Sequence, residues 1–415
     1  MRNRWVGVLL CVLSVHAGSR GLARDTRGTL GSNPADAVAK NPAKAGSQLL
    51  TANNPAKAGS HVRVGGLQAG ADRPLRLAIA GLVHGHVGGF LRALSGRTDV
   101  ELVGIADPDP ELRAAVLRQH ELDAALAYAR LDDMLDRAKP DAVAAFTSTL
   151  DHPAVVEACA RRRVTVMMEK PLAVSVADGE RIRRAATAAG IPVVVNYETT
   201  WYPGLVTAAQ AVTANGASGA IRKMVAMDGH EGPKEIGVGP EFLAWLTDPV
   251  KNGAGALFDF GCYGANLMTW LMDNERPRAV TATTQQLKPT VYPHVDDEAT
   301  VLVEYAGAQG IIQASWNWPF GRKDLEIYTE RAYAISTGPE DVRIRLPGDV
   351  EQVRRPGRLP DEEGDPVSYL VAVARGRVRP SGRSSLENNL IVTEILAAAR
   401  ESAKTGRRIV IDSRQ

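Results

Sequence analysis

From residue 75 onward the apolar and polar positions follow two successive patterns. Continuous apolar runs at 75–81, 100–107, 141–147, 164–168 and 191–197 predict strands covered on both faces. The intervening stretches 110–120, 131–137, 153–163 and 176–189 have helical spacing, as Leu112, Val116 and Leu117 illustrate. Strand and helix in alternation predict a parallel, doubly wound sheet of the dinucleotide-binding kind over residues 73–196. After Tyr197 the pattern changes. Strands are expected at 222–228, 279–285, 299–305, 310–318 and 325–336, joined by turns, with helices only at 261–272 and 386–404. That order reads as a second, α+β domain over 197–415, built on an open, largely antiparallel meander.

The first 72 residues carry neither period. Arg2 and Arg4, the apolar run 5–15 and a small-residue site ending at Ala23 fit a signal peptide over 1–23. Residues 24–72 read as a low-complexity linker, because Asn41-Pro42-Ala43-Lys44-Ala45-Gly46-Ser47 returns at Asn54-Pro55-Ala56-Lys57-Ala58-Gly59-Ser60. The expectation is a periplasmic or otherwise exported protein; the alternative is translation from a downstream start and a cytoplasmic enzyme. The apolar run is too short to span a bilayer, so no stable membrane insertion is expected after processing.

Composition narrows the partners. A chain of 415 residues is long enough for two domains, and its net charge of +2 excludes the clustered basic surface of a nucleic-acid binder. The expected partner is a small molecule. Cys11, Cys159 and Cys262 form no paired motif, so no disulfide framework and no metal site are expected.

The first strand runs into Gly81-Leu82-Val83-His84-Gly85-His86-Val87-Gly88-Gly89, where a dinucleotide fold turns beneath the pyrophosphate. Gly81 takes the first glycine position, whereas Val83 and His86 stand at the second and third. His84 and His86 read as donors to cofactor or substrate. Asp107 closes the second strand at the offset where an acid takes the adenosine ribose, and its charge favours NAD over NADP. Glu169-Lys170-Pro171 lies past the carboxyl end of the strand expected at 164–168, where ligands of such sheets bind. Asp259, Tyr263 and Asn266, four and three residues apart, are expected on one face of a single helix. Trp316 and Trp318 read as sheet packing.

Gly81 with its glycine-rich turn, Asp107, Glu169-Lys170-Pro171 and Asp259-x-Gly261-x-Tyr263 together resemble the glucose-fructose oxidoreductase/inositol dehydrogenase/MocA (Gfo/Idh/MocA) family over roughly residues 75–412. The resemblance implies an NAD-dependent oxidoreductase acting on a secondary hydroxyl of a sugar or polyol. It places Lys170, Asp259 and Tyr263 at the reacting carbon, with Lys170 favouring the phenolate of Tyr263 as base. Gly81, Val83, His84, Gly85, His86, Asp107, Thr147, Glu169 and Lys170 are the expected cofactor contacts. Tyr202, His230, Lys234 and Asn266 are the expected substrate contacts. Some relatives instead oxidise, eliminate and reduce a glycoside around one tightly held NAD; a non-catalytic nucleotide- or sugar-binding protein is the remaining reading. A homodimer or homotetramer is expected through a sheet face carrying Val301, Val303, Tyr305, Ile311, Gln313 and Ser315.

Overall fold

The structure, a computed structural model, describes residues 73–411; the expected signal peptide and linker lie outside them. The first sheet contains β1 (Leu75–Ala80), β2 (Val100–Ala106), β3 (Ala127–Tyr128), β4 (Ala142–Ala145), β5 (Thr165–Glu169) and β6 (Val193–Asn196). All pair in parallel, in the order β3-β2-β1-β4-β5-β6. This is the doubly wound fold, and β1 shows why its sequence is unbroken apolar. Leu75, Leu77 and Ile79 enter one core while Ala78 and Ala80 enter the other, so both faces of the strand are dry.

The second sheet comprises β7 (Ile221–Gly229), β8 (Ala279–Gln285), β9 (Glu298–Glu304), β10 (Gln309–Ser315), β11 (Arg322–Thr329), β12 (Tyr333–Ser336), β13 (Val342–Arg345), β14 (Gln352–Arg354) and β15 (Ile409–Val410). Its order is β14-β13-β12-β11-β7-β10-β9-β8-β15. All pairs are antiparallel except β7 with β10 at the centre. A plain meander is therefore corrected: after β7 the chain leaves through helices and returns by the β8–β9 hairpin, so β10 enters alongside β7 in the same direction. The strand expected over 325–336 divides into β11 and β12 at Glu330-Arg331-Ala332.

Helices Gly261–Leu271 and Leu386–Thr405 cover one face of this sheet. Close approach depends on Gly264, where an added Cβ would stand 2.7 Å from Ile312 and 2.9 Å from Ala226. On that face Val301, Val303 and Tyr305 are buried. The sheet face expected to pair subunits is thus corrected by one residue of register. Ile311 pairs with Leu302 and Gln313 with Thr300, and these four, partly exposed, share the opposite side. Helix Pro366–Ala374 returns to the first sheet, burying Val367, Leu370, Val371 and Val373 against Val87 and Phe90. No helix among the described residues is long and apolar enough to cross a membrane.

Candidate active site

The carboxyl ends of β5 and β6 meet the entry to helix Gly261–Leu271, through Lys170 at Asp259 and Tyr197 at Tyr263. Parallel register sets Glu169 opposite Asn196, and Asn196 Nδ2 donates to Glu169 Oε1 at 2.8 Å. Trp201 Nε1 in turn holds Asn196 Oδ1 at 2.9 Å. One residue further, Lys170 Nζ donates to Asp259 Oδ1 at 2.5 Å and to the Asp259 carbonyl at 2.8 Å. Both side chains are buried. Burial pushes the Asp259 carboxyl up, but the Lys170 ammonium and the indole N–H of Trp316, 2.9 Å from Oδ2, outweigh it and hold the group below its ordinary range. Burial acts to lower Lys170, yet Asp259 raises it, so the lysine is firmly charged.

Tyr263 lies beside this pair, its ring centroid 5.0 Å from Lys170 Nζ. Its hydroxyl has no hydrogen-bond partner among the described residues, and burial, reinforced by the Glu198 carboxylate, drives its pKa well above 10.0. The expected Lys170-supported phenolate is corrected here: the ammonium is committed to Asp259, and Tyr263 is a phenol in the free protein. The single-helix expectation is corrected too. Asp259 ends the short helix Ala256–Asp259, and a new helix starts at Gly261. Asn266, fully buried, turns away to donate to the Arg383 carbonyl at 2.7 Å and Asn388 Oδ1 at 2.8 Å, so the structure does not bring it to the site.

Three groups escaped the sequence reading. Lys323 stands 5.3 Å from the Tyr263 centroid and donates to Glu198 Oε2 at 2.6 Å. Glu198 also receives the Tyr202 hydroxyl. Asp228, cross-strand from Lys323, is fully buried with neither oxygen hydrogen-bonded, and burial pushes its carboxyl well above the usual range. Trp316 positions Asp259 as well as packing. Lys323 had a signal: it shares the inward parity of Leu325 and Ile327, a charge on an apolar face.

His230 is edge-on to Phe260 at 4.8 Å, and its Nδ1 accepts the Gly232 N–H at 2.8 Å. A neutral ring then carries its proton on Nε2, making His230 a donor. Lys234 is exposed, its backbone N–H donating to the Tyr292 hydroxyl at 3.2 Å.

The turn after β1 is tight. Gly81 has φ +80° and an added Cβ there would lie 2.5 Å from Thr147 Cγ2. Replacing Gly81 with alanine is expected to destabilise the protein by about 1–3 kcal/mol. Gly85→Ala, with no positive φ and only the Phe242 ring at 3.2 Å, should cost less; equal denaturation midpoints for the two variants would refute this. Asp107 accepts the amides of Leu82 at 2.8 Å and Asp109 at 2.9 Å, locking the turn to the end of β2. The Val83 carbonyl accepts from Trp245 Nε1 at 3.1 Å, and buried His84 packs against Phe242 and Trp245.

His86 begins helix Val87–Leu94, whose first turn has no acid and no side-chain cap, leaving amides for an anion. Its Nδ1 meets Glu169 Oε2 at 3.1 Å. Burial acts to lower the imidazole pKa, but Glu169 raises it by more, and at 46% side-chain exposure the burial effect is the weaker. Glu169 itself is held below the carboxylate range by its imidazole neighbours against the effect of burial. His84, His86 and Glu169 bring ligand atoms within 4.8 Å of one another, spacing that could hold a metal ion. Hydrogen bonds occupy that set instead. The His86 amide points at His84 Nδ1 at 3.2 Å, so neutral His84 carries its proton on Nε2 and neither nitrogen offers a free lone pair.

Residues 75–197 match the model described as oxidoreductase family, NAD-binding Rossmann fold, and residues 206–335 match the GFO/IDH/MocA C-terminal domain. The chain is 25% identical over 230 residues to trans-1,2-dihydrobenzene-1,2-diol dehydrogenase of Bos taurus, covering 55% of this chain and 63% of that enzyme, less than two thirds of its length. It is 23% identical to inositol 2-dehydrogenase of Rhizobium meliloti (strain 1021) over 311 residues, 71% of this chain and 88% of the relative. Among solved structures, an inositol dehydrogenase homolog from Azotobacter vinelandii complexed with NAD+ superposes with a TM-score of 0.70 at 20% identity, over 82% of this chain and 98% of that one.

Proposed function

The chain belongs to the Gfo/Idh/MocA oxidoreductase family, and on that premise we propose that it transfers hydride between NAD and a secondary carbinol of a neutral sugar or polyol. The observation that carries the reading is the buried Lys170–Asp259 pair beside the unpartnered Tyr263 hydroxyl, at the carboxyl edge of an NAD-binding domain.

The turn fits the dinucleotide: Gly81 permits its tight path, the uncapped helix start offers amides, and His86, its imidazole pKa raised by Glu169 against the effect of burial, stands at the third glycine position. Asp107 disfavours a 2′-phosphate and so selects NAD over NADP. When bound, the nicotinamide supplies the hydride acceptor or donor. Lys170 retains an N–H beyond the two given to Asp259, and that N–H polarises the substrate oxygen. Tyr263, as a phenol, donates the proton to oxygen when a carbonyl is reduced. Asp259 keeps Lys170 charged and aimed, and His230, Lys323 and Glu198 are disposed to hold neighbouring hydroxyls.

This protonation pattern has a sign. Oxidation needs a proton acceptor, yet Lys170 is raised by Asp259 over the opposing effect of burial, and Tyr263 is raised by burial first and Glu198 second. Oxidation kcat/KM should therefore climb with pH, approaching about tenfold per unit between neutrality and about pH 10, while carbonyl reduction stays flat or falls. A pH–rate profile for oxidation with its maximum at or below neutrality would sink this assignment.

The identifying experiment incubates the protein with sugars, polyols and glycosides, with and without added NAD, following NADH formation. Reduction of added NAD supports the dehydrogenase. Product without net NADH and without added NAD supports a redox-neutral enzyme with tightly held cofactor, the form that suits an exported chain.

A further inference from the structure

On the far side of the Glu198–Trp201 turn lies a cavity of about 260 Å³ that contains no residue of the Lys170–Asp259–Tyr263 site. Arg383 forms one wall. Its guanidinium stacks 4.6 Å from the Trp270 ring and gives one hydrogen bond, Nη1 to the Thr199 carbonyl at 2.9 Å. An arginine has five N–H donors, and no carboxylate lies within ion-pair distance of Arg383 among the described residues. Burial lowers its pKa to about 10, against the opposing pull of Glu363 and Tyr369. The position is fixed from behind, since Asn266 and Asn389 both donate to the Arg383 carbonyl, at 2.7 and 2.9 Å.

Two further groups in the cavity wall await partners. Thr200 and Ser384 are 8% and 3% exposed, and neither hydroxyl oxygen has a hydrogen-bond partner. Trp201 and Tyr369, packed at 5.5 Å between centroids, add aromatic surface, and Gln210, Glu363 and Ser381 also line the cavity. A half-buried guanidinium with no ion pair among the described residues, two idle hydroxyls and aromatic walls suit an acceptor-rich planar group attached to a hydrophobic body. Water would satisfy the hydroxyls and leave the charge unneutralised.

We propose that this cavity is a second ligand site, distinct from the catalytic one, which takes a small organic carboxylate: the two carboxylate oxygens against the free edge of Arg383, the Thr200 and Ser384 hydroxyls on their remaining lone pairs, and the carbon skeleton against Trp201 and Tyr369. The guanidinium fork matches a carboxylate in two parallel hydrogen bonds, which distinguishes it from a point charge. Occupancy bears on the active site through one short segment. Thr199 and Thr200 belong to the turn whose first residue, Glu198, holds Lys323, and whose last, Trp201, orients Asn196 and through it Glu169.

The test uses the full chain without nicotinamide or sugar, so its outcome is independent of the dehydrogenase reading. Benzoate is titrated by calorimetry, with benzamide as the neutral isostere and inorganic phosphate as a second anion. Saturable one-to-one binding of benzoate, at least about tenfold tighter than benzamide, is expected. Arg383→Gln should weaken it by about 10- to 100-fold and Ser384→Ala by about 2- to 12-fold. If Arg383→Gln does not fold, Ser384→Ala and Thr200→Val carry the test, since both spare the guanidinium. Failure of benzoate to saturate, equal affinity in wild type and the hydroxyl variants, or tighter binding of phosphate than benzoate would each overturn the proposal.

Discussion

Lys170→Met is expected to cut turnover by about 10³-fold in either direction, because it removes the charged donor aimed at the reacting oxygen while preserving side-chain length. It should also destabilise the fold by about 3–5 kcal/mol, since Asp259 would remain a buried carboxylate with only the Trp316 N–H beside it. These effects separate in a double variant. Lys170→Met with Asp259→Asn removes the orphaned charge and should recover most of the stability while remaining inactive. Recovery of activity along with stability would mean that Lys170 acts only by holding the two domains together. Denaturant midpoints and single-turnover rates on the same samples make the comparison.

Tyr263→Phe is expected to lower kcat by about 10²- to 10⁴-fold with NAD affinity unchanged, because the lost atom is an unpartnered hydroxyl and the packing of the ring is kept. Its effect on stability should be small for the same reason: no hydrogen bond within the protein is broken. The readout is turnover on the identified substrate together with the NAD dissociation constant. Undiminished turnover would remove Tyr263 from proton transfer, and a parallel loss of NAD affinity would reassign it to cofactor binding.

The doubly wound sheet was legible because its signal is local: strands buried on both faces are apolar without interruption, and the helices between them carry their own period. Helix Val176–Ala189 and strand β8 fall where the pattern places them, to the residue. The order of the second sheet was not legible. Which strand lies beside β7 is decided by long-range packing, chiefly the close seat that Gly264 gives the helix Gly261–Leu271 over β7 and β10, and no neighbouring residues encode it. Site residues follow the same division. Lys170 could be found because a charge at the end of a core strand has no packing explanation. Asp259 and Tyr263 were found through an incorrect continuous helix, and the break at Phe260 is what turns Asp259 back toward Lys170. Asn266 had the right spacing and the wrong environment, as its amide is claimed by the C-terminal helix. Trp316 resembled sheet packing because its ring is packed; its indole N–H serves Asp259 from 57 positions away, a distance at which pattern carries no information.

Hydride transfer from a secondary carbinol at the Lys170 site is the central claim, and isotope transfer tests it most directly. The protein is incubated with NAD and sugars or polyols deuterated at their carbinol carbons, and the nicotinamide is recovered for mass spectrometry. Deuterium in the reduced nicotinamide from wild type, and none from Lys170→Met with bound NAD, is the predicted result. Product formation from a deuterated substrate with no label ever reaching the nicotinamide would contradict the account.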